Sequence, residues 1–173
     1  MPVIQHILPE GRLTFTFAAG AIASKYDEWS HYRNQFNSAF GGTKAVDMVY
    51  ADQRVGWLIE VKDYREHRRT KTIDLADEIA AKVRDTLAGL VSAQLYANDA
   101  DEQRVAKLLL RCRQLRIVLH LEQPAKHSKL RPRAIDPAAV LIKLRPLVKA
   151  VDAHPCVVDQ HSLKPEMSWQ VQG

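Results

Sequence analysis

"WLIEVKDYREHRRTK", residues 57–71, carries an acid and an amine inside an apolar run and then turns strongly basic. On a strand, alternate side chains point to opposite faces. Val55, Trp57, Ile59 and Val61 therefore form one wholly apolar face, and Leu58, Glu60, Lys62 and Tyr64 form the other. Such a strand is buried on one side and bears a small charged group on the other.

Working outward, "KAVDMVYADQRVGWLIEVKDY" reads as two strands joined by a turn near residues 51–54. Asp47 stands thirteen residues before Glu60. If the two strands pair as a hairpin, Asp47 comes near Glu60 and Lys62. Two carboxylates that close repel unless a cation lies between them, and a hard divalent ion held by oxygen ligands answers that need. Such an ion lowers the pKa of its bound water and stabilises charge developing on a phosphate. A neighbouring amine orients or deprotonates the attacking water.

Asp47 followed by Glu60-Val61-Lys62 on the next strand resembles the D…(D/E)xK signature of the PD-(D/E)XK nuclease superfamily, the restriction-endonuclease-like fold. The resemblance spans residues 24–123. It implies Asp47 and Glu60 as Mg²⁺ ligands (Mn²⁺ as a substitute), the Val61 carbonyl as a third ligand, and Lys62 as the residue that handles water. It also implies a helper acid from the first helix, for which Glu28 is the candidate and Asp27 its rival. Val46 stands where the family has proline, and no strand is evident just before the Asp47 strand, so the N-terminal hairpin is expected to supply it.

The remaining pattern predicts one α/β domain over residues 1–173, with a central mixed sheet flanked by helices and an N-terminal β-hairpin. Its core covers about 24–123, and a C-terminal helix and strand cover 136–163. "HILPEGRLTFTF" alternates around a turn at Pro9-Glu10-Gly11. Tyr26, Trp29, Tyr32, Phe36 and Phe40 recur at helical spacing and predict a helix over 24–40, ended by Gly41-Gly42. Leu75, Ile79, Val83, Leu87, Leu90 and Val91 predict a long helix over 72–97, capped by Thr72 or Asp74. A second helix carries Val105, Leu108, Leu109 and Cys112. "LRIVLHLEQ" is a strand. Asp136 and Pro137 open a further helix that Pro146 ends or kinks, and "CVVDQHSL" is a last strand.

Charge is segregated along the chain, whose net charge is +5. Residues 62–71 hold five bases and two acids, and residues 103–133 hold nine bases and one acid. Arg65, Arg68, Arg69 and Lys71 leave the Lys62 strand directly, and Lys82 and Arg84 follow on the long helix. All six are candidates for nucleic-acid phosphate contacts, which bind without regard to sequence and weaken with salt. The loop "PAKHSKLRPR" is a second candidate clamp.

Taken together, these readings predict a Mg²⁺-dependent nuclease, an endonuclease hydrolysing phosphodiester bonds of DNA, with Asp47, Glu60, Lys62 and Glu28 at its site. It would act as a homodimer or within a larger DNA-processing complex. The alternatives are a non-catalytic nucleic-acid-binding or assembly subunit on the same fold, and a protein-interaction domain. The histidines and Cys112 and Cys156 lack zinc-ligand spacing. No signal peptide or membrane span is visible, so a cytoplasmic location is expected.

Overall fold

The computed structural model describes residues 6–52, 54–124 and 135–173. The basic loop at Lys126, Lys129, Arg131 and Arg133, and Gln53 of the expected turn, lie outside the described residues. Two sheets form the frame. The larger is mixed, in the order β3-β4-β5-β6-β7. Its strands are β3 (Ile22–Lys25), β4 (Met48–Ala51), β5 (Val55–Asp63), β6 (Gln114–Glu122) and β7 (Cys156–Val158). β3, β4 and β5 run antiparallel, whereas β6 lies parallel to β5 and β7 parallel to β6. The smaller sheet is antiparallel, in the order β1-β2-β8, from β1 (His6–Glu10), β2 (Leu13–Phe17) and β8 (Trp169–Gln172).

The pleat of β5 explains the layering. Trp57, Ile59 and Val61 pack with Phe15, Phe17 and Trp169 of the small sheet, while Leu58 on the other face joins the core under the helices. Those helices are α1 (Leu75–Tyr96), α2 (Ala100–Arg111) and α3 (Pro137–Val148). Each is opened by an aspartate that accepts a backbone N–H. Asp74 Oδ1 takes Ala76 at 2.9 Å, Asp99 Oδ1 takes Asp101 at 2.8 Å, and Asp136 Oδ1 takes Ala138 at 3.0 Å.

The expected single α/β domain with a mixed sheet and helices is what the chain forms. Four local expectations need correction. The helix over 24–40 is instead the edge strand β3, then short helical turns at Tyr26–Glu28, Tyr32–Phe36 and Ala39–Gly41. Trp29, with ψ of 137°, breaks the helical path, and its indole N–H donates to Ser24 Oγ at 2.7 Å. The aromatic spacing reflects anchors under successive turns rather than one helical face. The N-terminal hairpin does form, with Gly11 at φ 58°, but it turns at Gly11-Arg12 and pairs with β8. β3 is therefore the strand that pairs with β4. Finally, the strand expected at "CVVDQHSL" covers only Cys156–Val158 and is not the last, since β8 follows it; α3 ends at Val148, two residues after Pro146.

Gly89 shows how closely α1 approaches those turns. A Cβ placed on Gly89 would lie 1.9 Å from Tyr26 Oη and 3.1 Å from the Phe36 ring. Only glycine fits there with its neighbours in place.

Candidate functional site

The segment before β4 is pinned to α1. Asp85 Oδ2 accepts the Lys44 N–H at 2.9 Å, and the buried Thr86 hydroxyl accepts the Val46 N–H at 3.0 Å. That fixes Asp47 on the helix side of the sheet, where its Oδ2 accepts the Val61 N–H at 2.6 Å. Asp47, Glu60, Val61 and Lys62 thus come together, as the spacing predicts.

Lys82 of α1 completes the group. Its ammonium lies 2.5 Å from Glu60 Oε1 and 3.7 Å from Asp47 Oδ1. Lys62 also pairs with Glu60, at 2.7 Å. The Lys82 ammonium thus lies against both carboxylates, and an ion bound by the two would have to displace it. Among the described residues, no three His, Cys, Asp or Glu side chains are grouped to hold a metal ion.

A second carboxylate extends the network. Glu78 is buried on α1 and lies 2.6 Å from Arg69, 2.7 Å from Lys71 and 3.4 Å from Lys62. The two acids titrate in opposite directions. Burial, then repulsion from Asp47, pushes Glu60 up to about 7 against the pull of Lys82 and Lys62. Glu78 is held down to about 2, because hydrogen bonds from Lys71 and Arg69 and the charge of Lys62 outweigh its burial. The apolar stripe of α1 does not single out Glu78. Its only signal is that Glu78 and Lys82 are four apart, one turn of one face.

Glu28 does not join this group. It is half exposed and pairs with Lys25 at 3.0 Å. Its rival Asp27 is the one that senses Asp47, and burial together with Asp47 and Glu10 raises its carboxyl to about 6.

The basic candidates divide by their partners. Arg65 chelates Asp63 at 2.7 and 2.9 Å and donates to the Gly173 carbonyl. Arg69 is held by Glu78, the Tyr64 hydroxyl and the Ile73 carbonyl. Lys82 is inside the cluster. Arg68 is exposed, Lys71 reaches Glu78 from a largely exposed side chain, and Arg84 is exposed beside Asp85. Lys143 of α3, not singled out by sequence, adds an exposed ammonium beside Asp74 at the start of α1.

The chain is 35% identical to a cysteine–tRNA ligase of Neisseria meningitidis, in an alignment 164 residues long that covers 78% of this chain and 24% of that protein. The chain thus spans about a quarter of the length of that relative. No protein-family model matches the chain, and no solved structure matches it.

This similarity overturns the nuclease resemblance. The similarity is to part of a tRNA ligase, not to a nuclease of the PD-(D/E)XK superfamily. The expected Mg²⁺-dependent endonuclease hydrolysing DNA is corrected accordingly. The physical source of the misreading is the ion-pair network itself: Asp47, Glu60 and Glu78 balanced by Lys62, Arg69, Lys71 and Lys82. Such a network puts an acid-x-Lys pair on a strand with an aspartate beside it for reasons of charge compensation. Among the described residues, no helix is long and apolar enough to cross a membrane.

Proposed function

We propose that this chain is a tRNA-binding module related to part of a cysteine–tRNA ligase. The observation that carries the reading is its 35% identity to such a ligase across 78% of its own length. Because it spans about a quarter of that relative, the proposal concerns tRNA contact and association with a synthetase, not the whole ligase's chemistry.

The geometry supports a particular surface. β5 and β6 run parallel and end together, and the Tyr64 N–H donates to the Glu122 carbonyl where they finish. Ligands of α/β sheets gather outside the carboxyl ends of such strands. At this end the segment after β5 carries Arg68 and Lys71, and Lys143 stands across the start of α1. Behind them, Glu78 and Glu60 hold Arg69, Lys62 and Lys82 in place as a stiff support. Exposed bases on a rigid backing suit an RNA phosphate backbone, whose recognition by charge needs little further adjustment.

The test is equilibrium binding of tRNA across a salt series. Arg68→Glu and Lys71→Glu are each expected to weaken tRNA binding at least about tenfold and to flatten its salt dependence by about one contact. Unchanged affinity in both variants contradicts the proposal.

A further inference from the structure

We propose that the Phe40 ring stacks on an unpaired base of the bound RNA, a contact that rests on the tRNA reading above and adds a second kind of grip to it. Phe40 is 88% exposed, more than any other large hydrophobic side chain among the described residues. Among those residues it is also the one other than glycine with a positive φ, at φ 55° and ψ 27°. A lone exposed apolar side chain is ordinary. A bulky one on left-handed backbone is not, because its Cβ crowds the following carbonyl oxygen.

The turn around Phe40 is built to hold that conformation. Gly41 and Gly42 continue the positive φ, at 81° and 118°. The Gly42 N–H donates to the Ala39 carbonyl at 2.9 Å, and the Thr43 N–H to the Asn37 carbonyl at 2.8 Å. The Thr43 hydroxyl donates to the Phe36 carbonyl at 2.7 Å, and the Tyr32 hydroxyl to the Thr43 carbonyl at 3.1 Å. Buried Phe36 meets the Phe40 ring edge to face, with centroids 6.1 Å apart, and itself rests against α1 at Gly89. Strained backbone persists where its surroundings over-determine it, and such positions gather at ligand clamps.

The ring's surroundings select the partner. Residues 33–44 hold two bases, Arg33 and Lys44, and no acid. Both bases are exposed, as are Asn34, Gln35, Asn37 and Ser38. Asp85 of α1 is engaged by the Lys44 N–H and by the exposed Arg84. A single ring among polar and basic side chains gives a protein partner no apolar core to bury. A nucleobase needs only one aromatic face, and its own phosphate meets the neighbouring cations. Lys71 meets α1 at Glu78, and Phe36 meets it at Gly89, three helical turns or about 16 Å farther along. Both points lie along one helix, so one RNA molecule can touch both.

The experiment reads stacking directly. Its probe is a short single-stranded RNA carrying one aminopurine, a fluorescent adenine analogue whose emission is quenched when it stacks. The full chain is expected to quench it. Phe40→Ala should abolish the quenching and weaken tRNA binding at least about fivefold, and Phe40→Trp should preserve both. Phe40→Asn, which tolerates left-handed backbone, should lose the quenching without lowering the thermal midpoint. Quenching that survives Phe40→Ala overturns the proposal. So does a midpoint that falls in Phe40→Asn, which makes the ring a structural prop. Arg68→Glu separates the two claims. Binding of tRNA that Arg68→Glu weakens and Phe40→Ala does not removes only the stacking. Quenching that depends on Phe40, with no binding of tRNA, removes the tRNA reading and leaves the stacking.

Discussion

The ammonium of Lys82 lies 2.5 Å from Glu60 Oε1, joining α1 to β5 across twenty-two residues of sequence. Glu60 is 1% exposed, so its carboxylate depends on Lys82 and Lys62 for compensation. A buried charge stripped of a partner is costly, whereas removing both charges is much less so.

Lys82→Ala is therefore expected to destabilise the fold by about 3 kcal/mol in urea unfolding. Adding Glu60→Gln to that variant should recover most of the loss. A double variant as unstable as the sum of the two single ones would show that the pair is not coupled.

Stability should also depend on pH in two opposed ways. A carboxyl raised from 4.5 to about 7 binds its proton more tightly in the folded state, so Glu60 favours folding at low pH and that contribution is lost as pH rises from 4.5 to 7. Glu78, lowered from 4.5 to about 2, contributes above 4.5 and loses that contribution as pH falls toward 2. Glu60→Gln should flatten the decline between pH 4.5 and 7 and leave the acid limb intact. A decline of the same slope in that variant would assign it to other groups.

Gly89 offers a purely steric check. Gly89→Ala forces a Cβ against Tyr26 Oη and should cost roughly 1–3 kcal/mol, as overpacking of a core does. Tyr26→Phe in the same chain removes the nearest clashing atom and should restore part of the loss. If Gly89→Ala alone is neutral in thermal unfolding, the approach of α1 to the Tyr26 turn is looser than described.

The elements written in local chemistry were legible in the sequence. Asp74 and Asp136 mark helix starts by side-chain capping, and the pleat of residues 55–62 sorts its two faces correctly. β3 was not legible, because Tyr26, Trp29, Tyr32 and Phe36 imitate a helical stripe while anchoring separate turns. β8 is too short to stand out in the sequence, although Trp169 and Val171 alternate with Gln170 and Gln172. Its pairing with β2 spans almost the whole chain, and no local pattern encodes that.

At the site, Asp47, Glu60 and Lys62 were legible as neighbours, but what they do together was not. The deciding partners, Lys82 and Glu78, come from a helix face whose depth only the packing of α1 reveals. Spacing alone does not distinguish carboxylates that await a metal from carboxylates already neutralised by lysines.

The most direct measurement is the equilibrium affinity of the purified chain for tRNA and for a DNA duplex of similar length, at matched salt. The proposed function predicts tighter binding to tRNA, weakened at least about tenfold by Arg68→Glu or Lys71→Glu. Equal affinity for the two nucleic acids, or tRNA binding that neither substitution alters, would contradict it.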